Sequence, residues 1–144
     1  MWDDVKYQPG VIKVIAYKNG KQWAADEVKT TGAAAKLELT ADRNPIAADG
    51  VDLVYVTVKV QDAAGLTVPG AHPLIQFELE GAGELVATDN GDATSLVSFQ
   101  SHEREAFNGL ALVIVKAHQG ATGGFKVKAT SKGLAPGEVS LHVK

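Results

Sequence analysis

Val54-Tyr55-Val56-Thr57-Val58-Lys59-Val60 is the stretch that decides the fold. Four valines alternate with Tyr, Thr and Lys, so one face is uniformly apolar and β-branched and the other is mixed. A period of 2 is that of an extended strand whose successive side chains point to opposite faces. Valine suits a half-buried pleated surface. The same period recurs downstream. After a turn at Ala63-Ala64-Gly65, Ile75, Phe77 and Leu79 alternate with Gln76, Glu78 and Glu80. Further strands are expected at Leu85–Ala87, Leu96–Phe99, Leu110–Val115, Phe125–Ala129 and Val139–Val143, and upstream around Leu37 and Leu39. Short strands at such spacing, separated by turn residues, predict an all-β, antiparallel sandwich of about 110 residues.

A second, smaller unit precedes it. Val11–Tyr17 and Trp23–Val28 flank Asn19-Gly20, a pair that tolerates the positive φ of a type I′ hairpin turn. Pro9-Gly10 marks a further turn, so Trp2–Tyr7 is expected to add a third strand and complete a meander. Three strands with one apolar face barely stand alone. The small, uncharged run Thr30-Thr31-Gly32-Ala33-Ala34-Ala35 reads as a linker. The division expected is 1–32, the end of a truncated preceding β-domain (meander or hairpin), and 33–144, the sandwich. Each Asn also sits at a turn signal: Asn19, Asn90 and Asn108 precede Gly, and Asn44 precedes Pro.

The chain has 144 residues, 45% of them hydrophobic and 22% charged, with a net charge of −3 and no cysteine. The apolar fraction is that of a globular chain. No apolar run approaches the roughly 20 residues of a membrane-spanning helix. The mild acidity offers no clustered basic surface for nucleic acid. Zero Cys excludes disulfides, thiol catalysis and cysteine-bound zinc. Met1 is followed by Trp-Asp-Asp, not by the basic and apolar regions of a secretory signal.

Several constellations invite a chemical reading. Glu78 and Glu80 share a strand face at roughly 6.5–7 Å, wider than the 5–5.5 Å or so of a retaining glycosidase pair. They read as a solvated face opposite Phe77 and Leu79. Asp89-Asn90-Gly91-Asp92, with Thr94 and Ser95, is too short and irregular for the 6–8 oxygens calcium wants, and reads as a tight turn. His72, His102, His118 and His142 lack metal-ligand spacing. No Gly-x-Ser-x-Gly elbow occurs, and Gly81-Ala82-Gly83 and Gly120–Gly124 open no helix that could cradle phosphate. No catalytic residue, metal site or cofactor is expected. Of Trp2, Tyr7, Tyr17, Trp23 and Tyr55, the candidate sugar-stacking platforms are Trp23 and Tyr55. Finally, Leu110, Leu112 and Ile114 on one face of a strand oppose Ala111, Val113 and Val115 on the other. A strand apolar on both faces needs cover on both, so Leu110, Leu112 and Ile114 are candidate contacts to another module.

Ala48-Asp49-Gly50-Val51-Asp52, Tyr55-Val56-Thr57-Val58 and Asp62-Ala63-Ala64-Gly65 resemble invasin-type bacterial immunoglobulin-like repeats. A narrower likeness follows. Gly81-Ala82-Gly83-Glu84-Leu85-Val86, Asn90-Gly91-Asp92-Ala93-Thr94-Ser95 and Ala106-Phe107-Asn108-Gly109-Leu110-Ala111-Leu112-Val113-Ile114-Val115 resemble the C-terminal immunoglobulin-like domain of glycoside hydrolase family 2 β-galactosidases. Tyr7-Gln8-Pro9-Gly10, Val14-Ile15-Ala16-Tyr17-Lys18-Asn19-Gly20-Lys21 and Asp26-Glu27-Val28-Lys29-Thr30 are similar to the end of the small β-domain preceding it.

The resemblance implies an immunoglobulin-like fold and a non-catalytic accessory role. In that family the catalytic glutamates belong to an upstream barrel, which this sequence does not encode, so no catalytic residue carries over and the chain is expected to be a C-terminal piece. It implies the other domains of a parent glycosidase as partners, with carbohydrate as a second candidate, and export to the periplasm or beyond. Asn90 and Asp92 join Leu110, Leu112 and Ile114 as candidate domain contacts. The alternatives are a carbohydrate-binding module and an invasin-type adhesin repeat. The last predicts tandem copies, and the two halves do not repeat each other.

Overall fold

The computed structural model describes residues 6–144. Every regular element among them is a β-strand, and every strand pairing is antiparallel. The chain forms two compact units, one ending at Thr31 and the other running from Gly32 to Lys144.

The first unit is a hairpin of β1 (Val11–Lys18) and β2 (Lys21–Lys29). Asn19 and Gly20 hold φ of 52° and 74°, the twist a two-residue turn needs to match its strands. Gly10 and Thr30 close the open end: the Thr30 amide donates to the Gly10 carbonyl (2.8 Å) and the Gly10 amide to Thr30 Oγ1 (3.0 Å). The third strand expected at Trp2–Tyr7 falls mostly on residues 1–5, outside the described residues, and Lys6–Gln8 form no strand. Val11, Ile12, Val14, Ile15 and Tyr17 are exposed along the hairpin.

The second unit is the sandwich. One sheet has the order β3-β4-β8-β6, made of Ala34–Ala41, Leu53–Asp62, Leu110–Ala117 and Gly83–Asp89. The other has the order β10-β9-β5-β7, made of Gly137–His142, Gly124–Thr130, Leu74–Gly81 and Glu103–Glu105. In chain order this is the A-B-E-D and G-F-C arrangement of an immunoglobulin-like domain, with β7 added to the C edge. Val54, Val56, Val58, Val60, Val113 and Val115 bury one inner face against Ile75, Phe77, Phe125, Val127 and Leu141 from the other. The period-2 valines of β4 therefore supply about a quarter of the buried residues of a continuous core, as two packed sheets require.

The expected strand at Leu96–Phe99 is not one. Residues 90–102 form a loop, and the strand on that side is the three-residue β7, Glu103-Arg104-Glu105. The reason is physical: the carbonyls of Val97 and Ser98 are taken by the Arg104 guanidinium instead of by a neighbouring strand.

Three carboxylates organise the loops. Asp62 accepts from the amides of Gly32 (2.8 Å), Ala64 (2.9 Å) and Leu66 (2.9 Å), and these bonds hold its carboxyl below the ordinary value. Asp49 is lowered by the amides of Val51 and Asp52, and Asp92 by the hydroxyl and amide of Thr94. A lowered folded pKa contributes stability that is fully present above the unfolded carboxylate range and lost as pH falls through the folded value. The melting temperature is therefore expected to carry the full contribution of these groups, with no pH dependence from them, above about pH 5 and to fall below about pH 4. Asp62→Asn, which removes one titrating group, flattens that acid slope; an unchanged slope in calorimetric scans across pH contradicts the assignment.

Candidate functional site

The two outer faces of the sandwich differ sharply. On the β10-β9-β5-β7 sheet, Glu78 lies opposite Lys128 and Glu80 opposite Lys126, and Lys126 pairs with Glu138 at 3.1 Å. That face is charged across its strands. Glu78 and Glu80 are thus members of a solvated face, each with a lysine as its cross-strand neighbour.

The outer face of the β3-β4-β8-β6 sheet carries an apolar row. Register places Tyr55 opposite Ile114, and Ile114 opposite Ala87 on the next strand. Thr57 lies opposite Leu112, and Lys59 opposite Leu110. Tyr55 is 43% exposed, Leu110 is exposed, and Leu112 and Ile114 are half-buried. Ion pairs Lys59–Glu38 (3.8 Å) and Lys116–Glu84 (3.4 Å) flank the row. An apolar centre with a charged rim is the anatomy of a protein interface. The structure therefore brings together Tyr55 and the three β8 candidates. Trp23 belongs to the other unit; it is 73% exposed with Lys18 Nζ 5.6 Å from its ring centroid.

Asn90 and Asp92 shape the loop after β6. Asn90 Nδ2 donates to the Glu105 carbonyl (2.9 Å), Asn90 Oδ1 accepts from the Asp92 amide, and Asp92 Oδ1 accepts from the amide and hydroxyl of Thr94. These are turn-forming bonds within the chain. His72 has its Nδ1 3.2 Å from the Ala106 carbonyl and its ring 6.3 Å from Phe107, while His102, His118 and His142 are exposed elsewhere. Among the described residues no three His, Asp or Glu groups converge as a metal site would need.

Sequence reasoning missed Arg104. It is 2% exposed and faces the interior between its outward neighbours Glu103 and Glu105. Its Nε and Nη2 reach Thr88 Oγ1 (3.3 and 3.2 Å), Nη2 donates to the carbonyls of Thr88 (2.7 Å) and Ser98 (2.7 Å), and Nη1 donates to that of Val97 (3.0 Å). Thr88 is on β6 and Arg104 on β7, so one side chain joins the two sheets at their open edge. The available signal was parity: Arg104 shares its register with buried Ala106, which puts a charge where an apolar residue is expected.

Fold and surfaces together define an immunoglobulin-like β-sandwich domain with one apolar outer face. Residues 37–140 match the family described as glycoside hydrolase family 2 C-terminal domain 5, and the chain belongs to that family. Residues 1–24 match a second family, described only as a domain of unknown function. The chain is 42% identical over 130 residues to the β-galactosidase BoGH2A of Bacteroides ovatus, covering 90% of this chain and 15% of that protein. It is 36% identical over 83 residues to a β-galactosidase of Thermoanaerobacter pseudethanolicus, covering 58% of this chain and 11% of that protein. A crystal structure of a glycosyl hydrolase family 2 member from Bacteroides cellulosilyticus superposes with a TM-score of 0.92 at 29% identity, covering 97% of this chain and 18% of that one. The chain thus spans less than a fifth of the length of these relatives.

Proposed function

We propose that the chain is a non-catalytic packing domain of a β-galactosidase-like glycoside hydrolase, and that it docks on another domain of that enzyme through the outer face of the β3-β4-β8-β6 sheet. The observation that carries this reading is the row Tyr55-Ile114-Ala87, with Leu112 and Leu110 beside it, on one outer face when the opposite face is charged. The β-galactosidase relatives, of which this chain spans 15% and 11%, supply the class of enzyme. In this reading no side chain of this chain takes part in bond cleavage; its work is to bury apolar surface and hold a neighbouring domain in place.

Ile114→Lys tests it. The side chain is half-buried on the outer face, so the substitution leaves the core untouched. In the 144-residue chain the melting temperature is expected to move by no more than about 2 °C, whereas in the longer enzyme an unpaired ammonium buried against the partner lowers it by about 5 °C or more. Equal, small shifts in both contradict the proposal.

A further inference from the structure

The loop at residues 90–102 is built unlike a solvated connection. Arg104 grips the carbonyls of Val97 and Ser98 from inside, and the Thr88 amide donates to the Phe99 carbonyl at 2.6 Å. Asn90 and Asp92 brace its first turn. Yet Leu96 is 99% exposed and Phe99 63%, with Val97 exposed between them. Fixing a backbone while leaving its largest apolar side chains in water removes the ordering cost of binding in advance.

Beside Leu96 and Val97 lies a cleft of about 390 Å³, lined also by Phe107, His72, Asp92 and Glu105. Its charge is one-sided. Among the described residues neither Asp92 nor Glu105 forms an ion pair, and the nearby cation, Arg104, is turned inward. Two carboxylates beside an aromatic ring match a planar cation on an apolar stem: a guanidinium pairs with the carboxylate through two parallel bonds and stacks on the ring.

We propose that this cleft and the Leu96–Phe99 knob form a second docking surface, whose occupant is a segment of another domain of the same polypeptide that carries an arginine flanked by apolar side chains. The proposal rests on the reading of the chain as one domain of a longer hydrolase. It commits to that occupant because more than four-fifths of the length of the relatives lies outside the part matched here and because the cleft's charge calls for a cation.

The test uses Leu96→Asp and Glu105→Lys, each made in the longer enzyme and in the 144-residue chain, with Ile114→Lys in the same enzyme as the independent report on the first surface. Both substitutions are expected to leave the melting temperature of the 144-residue chain within about 2 °C and to lower that of the enzyme by about 5 °C or more, with Glu105→Gln giving a smaller loss than Glu105→Lys. If Ile114→Lys destabilises the enzyme and these two do not, the second surface is wrong and the packing function stands. If none of the three does, both fail. Sedimentation showing a dimer of the 144-residue chain that Leu96→Asp abolishes assigns the surface to a second copy and overturns the proposal. Saturable binding of a galacto-oligosaccharide, lost in Glu105→Lys, assigns the cleft to sugar and overturns it equally.

Discussion

Replacing Arg104 with methionine is expected to destabilise the sandwich by about 3 kcal/mol, from the buried acceptors it strands. The methionine fills much of the volume but donates nothing. The Thr88 carbonyl and hydroxyl, fully buried on β6, lose the donors that reach them across the sandwich. The carbonyls of Val97 and Ser98 lose theirs as well, but the loop is exposed and water replaces part of the loss. A change of that size lowers the melting temperature of a unit this long by about 10 °C. Arg104→Lys keeps the charge and loses the fork, so it recovers only part of the difference. Calorimetry of the three proteins checks the order; a methionine variant within about 1 kcal/mol of the parent contradicts the role given to Arg104.

The second large effect is expected at Gly109. With Asn108 it makes the turn before β8, at φ of 76° and 52°, and its amide donates to the Ala71 carbonyl. A Cβ at this position would sit well inside van der Waals contact of the Val68 carbonyl oxygen, which is backbone and has nowhere to move. Gly109→Ala therefore combines the roughly 1 kcal/mol cost of a left-handed alanine with a displacement of the Val68 segment, for about 3 kcal/mol in all. Gly133 separates the two effects. Its φ is 81° but an added Cβ meets nothing within 4 Å, so Gly133→Ala bears the conformational cost alone, about 1 kcal/mol. Equal losses at the two glycines in urea titrations would contradict the steric part of the argument.

What was legible in the sequence was whatever local pattern controls. The alternating valines of β4 specify a strand with one buried face without reference to anything else in the chain. Asn19-Gly20 and Asn108-Gly109 specify their turns because few residue pairs accept two consecutive positive φ values. The two-sided β8 was visible as Leu110, Leu112 and Ile114, and the structure places them on an outer face. What the pattern could not show was that Tyr55 and Ala87 extend them into a row, because that needs the pairing order β4-β8-β6, a non-local fact. Leu96–Phe99 misled for a related reason. Its apolar residues suit a strand, and nothing within the segment reveals that a cation five residues on takes the carbonyls a strand would have offered its neighbour. Arg104 itself was hidden between two glutamates, where composition suggests a solvated charge run.

The most direct test of the packing function is hydroxyl-radical footprinting of Tyr55, Leu112 and Ile114 in the 144-residue chain and in the longer hydrolase of which it is proposed to be a domain. All three are at least partly exposed on the outer face of this domain. Tyr55 is expected to be oxidised readily in the 144-residue chain and at least about fivefold more slowly in the enzyme, as an interface core excludes water. Leu112 and Ile114 should be protected with it, while solvated controls on the opposite sheet, such as His142, react equally in both. Equal oxidation of Tyr55 in chain and enzyme would contradict it.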